Sequence, residues 1–175
     1  MLRSRFLSLS ACVAVAGAAL MSPSPVSASD RRGFSARLEG FSEVPAISST
    51  GKGFFRARLS LDGLSLHYRL SFSGLSAPVT QAHIHFGEKH TAGSIMVWLC
   101  QSPPTTVDPT GLAPLCVDEG TVEGDLTTLN IVQAGSQGIV AGEFEEFVRA
   151  LRNDAGYANV HTTAFPVGEI RGQVR

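Results

Sequence analysis

Between Phe34 and Cys100 the chain alternates apolar and polar residues in one short run after another, each closed by a turn signal. A period of two sends successive side chains to opposite faces of an extended backbone, so these runs are half-buried β-strands. Phe34, Ala36 and Leu38 alternate with Ser35, Arg37 and Glu39, and Phe55, Ala57, Leu59 and Leu61 alternate with Phe54, Arg56, Arg58 and Ser60. Asp62-Gly63 reads as a hairpin, because glycine takes a positive φ without a Cβ clash. It leads into Leu66, Tyr68, Leu70 and Phe72 set against His67, Arg69, Ser71 and Ser73. The pattern continues at Thr80 to Phe86, at Ile95 to Cys100 with Ile95, Val97 and Leu99 inward, and at Gly120 to Leu129, Tyr157 to Thr163 and Glu169 to Val174. Pro45 cannot donate to a ladder and interrupts pairing after the first run.

One segment has another period. Phe144, Phe147, Val148 and Leu151 fall at i, i+3, i+4 and i+7, the stripe of an amphipathic helix. Glu143, Glu145 and Glu146 at its start and Arg149 and Arg152 at its end complement the helix macrodipole, with Asn153 and Gly156 as its termination. About eight short strands at hairpin spacing with one short helix predict an all-β chain, an antiparallel Greek-key β-sandwich or barrel.

Arg3 and Arg5 precede an apolar run from Phe6 to Met21 and the small-residue sequence Val26-Ser27-Ala28, the order of a secretory signal peptide. The domain reading is therefore 1–28 signal peptide, cleaved near Ala28, and 29–175 a single folded domain. Leu9-Ser10-Ala11-Cys12 is a competing lipoprotein-type box, preceded by a shorter apolar run. Beyond the leader no apolar stretch approaches the roughly 18 residues that a membrane span needs. Without Arg3 and Arg5 the chain holds 12 basic against 15 acidic side chains, a net −3 with no basic run. That balance excludes nucleic acid and anionic membrane as main partners. The expected location is secreted or periplasmic. In such an oxidising compartment Cys100 and Cys116 are expected to form a disulfide, and their spacing matches neither a thiol redox motif nor a zinc knuckle.

The chemistry gathers on three histidines. In Ala82-His83-Ile84-His85-Phe86 the alternation turns His83 and His85 to one face while Ala82, Ile84 and Phe86 enter the core. In Ala158-Asn159-Val160-His161 the third imidazole stands on the same kind of face. If the two strands are neighbours, three neutral imidazoles offer a surface site for copper or zinc with a position left open. His90, in the loop Glu88 to Thr91, is a candidate fourth ligand; His67 shares a face with Arg69 and reads as an exposed side chain. A polar network that merely orders the sheet face through Tyr157, Asn159 or Gln81 is the competing reading. Glu43, Glu169 and Arg171 form a second polar set, read as a structural ion pair tying the first and last segments together. No nucleophile elbow, phosphate loop or carboxylate pair of glycosidase type is present, so no catalytic residue and no organic cofactor is assigned.

Four stretches in one order resemble the CHRD domain, the module named from chordin and present in secreted bacterial proteins. They are Leu38-Glu39-Gly40 with Glu43-Val44-Pro45, Ala82-His83-Ile84-His85, Tyr157-Ala158-Asn159-Val160-His161-Thr162, and Gly168-Glu169-Ile170-Arg171-Gly172-Gln173. The resemblance spans about Phe34 to Arg175 and implies an extracytoplasmic, immunoglobulin-like or barrel-like β-fold but little chemistry; with the histidine cluster, the expectation is a binding module whose partner is a metal ion or an extracellular protein or matrix. His83-Ile84-His85-Phe86-Gly87 is also similar to the H-x-H strand of copper-zinc superoxide dismutase, which implies copper on His83, His85 and His161. That enzyme further uses a bridging histidine and additional zinc ligands, for which only His67 and His90 remain.

Overall fold

In a computed structural model, residues 31–175 are described; the expected signal peptide and the alternative at Cys12 lie outside them. The strands are β1 (Gly33–Glu39), β2 (Lys52–Leu59), β3 (Leu66–Ser73), β4 (Val79–Phe86), β5 (Ser94–Gln101), β6 (Gly120–Leu126), β7 (Gly156–Thr162) and β8 (Ile170–Gln173), with one α-helix, α1 (Phe144–Arg152). They form one antiparallel sheet in the order β5-β4-β7-β8-β1-β2-β3-β6. Its two edges, β5 and β6, approach each other, so the sheet curls into a nearly closed barrel. Because β7 lies beside β4 after the chain has passed through β5 and β6, the connection is a Greek-key crossing.

The alternation read from the sequence is the alternation observed on β1 to β3, except at Leu61, which lies beyond the end of β2 and is 92% exposed. On β1 to β3, Phe34, Ala36, Leu38, Phe55, Ala57, Leu59, Leu66, Tyr68, Leu70 and Phe72 are all buried, and the polar partners face solvent. Tyr68 reaches across the interior and donates its hydroxyl to the Leu99 carbonyl at 2.6 Å, which satisfies a buried phenol and ties β3 to β5. The helix buries Phe144, Phe147, Val148, Ala150 and Leu151 against this core and leaves its charges at the matching ends. Asn153 forms its C-cap as expected, but Gly156 takes no part in the termination. Asp154 takes the left-handed φ of 55°. Gly156 instead opens β7, where a Cβ would stand 2.6 Å from a Leu151 methyl.

The larger correction concerns β5. Its register against β4 slips between Ala82 and His83 and again between Ile84 and His85, so His83 faces Trp98 and His85 faces Ile95. Two bulges break the strict alternation of Ile95, Val97 and Leu99. Met96, Val97, Leu99 and Cys100 are all fully buried, while Ile95 and Trp98 pass to the histidine face.

Cys100 and Cys116 are joined as a disulfide across a sequence separation of 16. It fastens the Pro-rich loop to β5, where Cys116 N–H also donates to the Gln101 carbonyl at 2.9 Å. Inside the loop the buried Asp108 carboxylate accepts from Thr110 N–H, Leu112 N–H and Ala113 N–H at 3.0, 3.1 and 2.9 Å, so the segment is ordered by a polar hub as well as by the cross-link. Replacing both cysteines with serine is expected to lower stability by about 3 kcal/mol, the chain-entropy value for a loop of this length. Urea unfolding checks this, and an unmoved midpoint would show that the Asp108 hub holds the loop unaided.

Candidate metal centre

Strand β7 lies between β4 and β8, which sets His83 opposite Asn159, His85 opposite Tyr157 and His161 opposite Gln81. His161 is thus the diagonal neighbour of His83, within reach of a side chain as long as an imidazole. The three rings converge. Each offers one nitrogen, and these atoms all lie within 4.8 Å of one another.

The expectation of a surface cluster is corrected by the burial. His83 is 1% and His161 6% exposed, and only His85 keeps partial access to solvent. The face that alternation turns away from the apolar core is covered by Trp98, whose ring centroid lies 4.3 Å from that of His83, edge to face, and by the loops at 88–93 and 163–168.

Backbone carbonyls set the tautomers. The His85 Nδ1–H donates to the Gly93 carbonyl at 2.8 Å and the His161 Nδ1–H donates to the Pro166 carbonyl at 3.0 Å. Each therefore presents its Nε2 lone pair to the cluster, the outer-shell arrangement by which metal-binding histidines are usually oriented. His83 Nδ1 lies 3.3 Å from His161 Nε2. The Asn159 amide lies 3.1 Å from that same His161 nitrogen. Two buried nitrogens, His83 Nε2 and His85 Nε2, have no hydrogen-bond partner. Burial drives the His83 and His161 pKa values down, that of His83 well below the ordinary 6.5 and further lowered by its neighbouring histidines. Burial likewise lowers His85 to about 4, against the opposing pull of the Gly93 carbonyl. All three are neutral at pH 7, the form in which imidazole binds a metal.

The surrounding residues brace this group. Tyr157 stacks on His85 with centroids 4.8 Å apart and planes 2° from parallel, and its hydroxyl accepts from Gly93 N–H at 3.2 Å. The Arg171 guanidinium carbon stands 3.3 Å from the Tyr157 ring centroid, a cation–π contact. Arg171 donates to the Thr91 and Glu88 carbonyls at 2.7 and 3.2 Å, holding the loop whose Gly93 orients His85.

The expected ion pair of Glu43, Glu169 and Arg171 is therefore drawn differently. Among the described residues no ion pair within 4.0 Å joins Arg171 to either carboxylate. Glu169 is wholly buried and takes hydrogen bonds from Ser49, Ser76 and Thr162. Glu43 packs against Gly168, where a Cβ would meet its Oε1 at 2.5 Å. Burial raises its carboxyl to about 7, with the Arg171 charge opposing the rise. Hydroxyls and a backbone amide from three other segments take up the Glu169 carboxylate, and the Arg171 donors go to loop carbonyls.

His90 does not join the cluster; it sits exposed in its loop at φ 67°. His67 contacts Asp125 at 2.9 Å on the exposed face of β3, as a side chain read to be in solvent should. With both elsewhere, no bridging histidine or second metal cluster exists among the described residues, and the similarity to the dismutase site is not borne out. Trp98, Gly93 and Pro166 are the site residues that the sequence left unmarked. Trp98 arrives by a bulge, and the other two act through backbone carbonyls, so no side-chain pattern announces them.

No helix among the described residues is long and apolar enough to cross a membrane. No curated protein and no solved structure matches the chain. The family model of the CHRD domain matches residues 34–174, from the first residues of β1 to the end of β8, and so takes in every strand and all three clustered histidines. On that match the chain belongs to the CHRD domain family.

Proposed function

We propose that this CHRD domain is an extracytoplasmic binding module that holds one divalent copper or zinc ion on His83, His85 and His161. The observation that carries the reading is the buried, unpartnered His85 Nε2 inside a three-imidazole group whose nitrogens lie within 4.8 Å of one another. A polar network built for structure alone would pair that atom, since an unsatisfied buried acceptor costs about 1–3 kcal/mol.

The spacing supports it. With metal–nitrogen bonds near 2.05 Å, two tetrahedral ligands stand roughly 3.3 Å apart and no pair can exceed about 4.2 Å. His83 Nδ1 and His161 Nε2 are already 3.3 Å apart, and the widest separation, within 4.8 Å, reaches the tetrahedral value by at most about 1.5 Å of ring movement. Using His83 Nδ1 moves its proton to Nε2. An ion bound there acts as a Lewis acid with a position open to solvent or ligand. The protein's own part is to keep three imidazoles neutral, oriented and dry. The leader-like N-terminus and the Cys100–Cys116 disulfide support residence in an oxidising compartment, secreted or periplasmic.

Metal analysis after export to an oxidising compartment tests the reading. The parent protein is expected to retain about one copper or zinc per chain, and a His83→Ala/His85→Ala variant about tenfold less or none. Circular dichroism of the variant checks that it is folded, and a His161→Gln variant, which keeps an acceptor and donor of similar reach, provides a second readout. Equal metal content in parent and variants would remove the metal reading and leave an interaction domain with structural histidines.

A further inference from the structure

A cleft of about 1170 Å³ opens beside the cluster, between β5, the disulfide loop and the segment 128–142. Its walls include Ile95 and Trp98 of β5, Leu112, Leu129 and Ile131, and His85. Leu112 and Leu129 are 52% and 71% exposed although apolar, so the cleft mouth shows solvent a surface that folding alone would hide. No aspartate, glutamate, lysine or arginine lines it. His85 is the residue shared between cleft and cluster, and it is the one cluster member with access to solvent. His83 is screened by Trp98, and His161 is held against Pro166 and Asn159. Of the three imidazoles, His85 is the one that lines the apolar cleft.

Resting on the metal reading above, we propose that this cleft is the binding site for a small, neutral, aromatic ligand that carries one Lewis-basic atom. Its ring system lies against Trp98, Ile95 and the two exposed leucines, and its donor atom takes the open position of the ion beside His85. Neutrality follows from the charge-free walls, since a charged ligand would lose its hydration there with nothing to pair it. Flatness follows from the indole in the cleft wall, against which a planar ring packs well. The donor follows from the cleft ending at His85. The size is that of a ligand pocket, which falls in the range of hundreds to about a thousand cubic ångströms.

The chain contains one tryptophan, so its fluorescence reports this cleft alone. Zinc-loaded protein, its zinc content measured beforehand, is titrated with 4-phenylimidazole and with imidazole, and the titrations are repeated after removal of zinc by a chelator. The expected result is a shift in Trp98 emission with 4-phenylimidazole and an affinity at least about tenfold above that for imidazole. Stripping zinc weakens 4-phenylimidazole at least as much. A Leu112→Asp/Leu129→Asp variant, altered only at exposed positions, is expected to keep its zinc and lose the phenyl preference. Equal affinities for the two probes, an unmoved Trp98 emission, or binding of 4-phenylimidazole that ignores zinc would each overturn the proposal while leaving the metal centre intact. A chain that takes up no zinc would overturn the metal reading itself, and this proposal with it.

Discussion

Acidifying the metal-free protein from pH 7 to pH 4 is expected to lower its stability, mainly through the buried histidines. Their folded pKa values are depressed by burial, so the unfolded chain binds protons that the folded chain refuses. The stability such a group contributes is complete above its unfolded value of 6.5 and is lost as pH falls toward its folded value. For His85, depressed to about 4, that window corresponds to about 3 kcal/mol at 1.36 kcal/mol per unit. Glu43 acts in the opposite sense. Raised to about 7 by burial, it is penalised when ionised, and acid relieves it by a comparable amount between pH 7 and its unfolded 4.5. Those two offset each other, so the net loss is set by His83, held well below 6.5 by burial and its neighbouring histidines, together with His161, also lowered by burial. Urea midpoints at pH 7.5, 5.5 and 4.0 in the presence of a chelator measure this, and saturating zinc should push the loss to lower pH by competing for the same nitrogens. A midpoint that holds or rises on acidification would refute the neutral, desolvated cluster.

The second large effect is expected at Glu169. Its Oε1 accepts from Ser49 Oγ at 2.6 Å and from Ser76 N–H and Oγ–H at 2.8 Å each, and its Oε2 accepts from Thr162 Oγ at 2.7 Å. These bonds join the segment after β1, the β3–β4 turn and β7 to the start of β8. Desolvation pushes this carboxyl up, yet the bonds from Ser49, Thr162 and Ser76 outweigh it and hold it below the ordinary carboxylate value. Glu169→Ala strands those donors in the interior and is expected to cost roughly 3–5 kcal/mol, a large part of the stability of a domain this size. Glu169→Gln keeps one oxygen for the Oε1 donors and should cost about half as much. Because the folded value is depressed, the contribution is complete above the unfolded carboxylate range and disappears as pH falls through the folded value. Denaturant unfolding of the two variants against parent decides the matter. A loss under about 1 kcal/mol for the alanine variant would mean that water replaces the carboxylate freely.

Strand content, inward faces and the helix could all be read from local periodicity, because strand and helix expose their faces at periods of 2 and 3.6 whatever the rest of the chain does. The alternation of Leu66, Tyr68, Leu70 and Phe72 and the stripe of Phe144, Phe147, Val148 and Leu151 needed no partner to be recognised. The reading failed on β5, where bulges place Met96 beside Val97 in the core and turn Ile95 and Trp98 outward. A bulge depends on how two strands pair, and that information is not in either strand alone. The Glu43, Glu169 and Arg171 grouping failed for a related reason: charge and strand face were visible, but not the serines and threonine that arrive from three other segments.

The amino-acid order alone sufficed for the all-β class, for the pairing of Cys100 with Cys116, and for the common outward sense of His83, His85 and His161, since each rests on alternation or on residue type. Folding in three dimensions settled that β7 lies beside β4, that Gly93 and Pro166 orient two imidazoles, and that the histidine face is sealed beneath Trp98 and its loops. Those contacts join residues as far apart in the chain as Val79 and Thr162. They arise from strand order, register and loop closure, which belong to the whole chain and leave no mark on any one stretch of it.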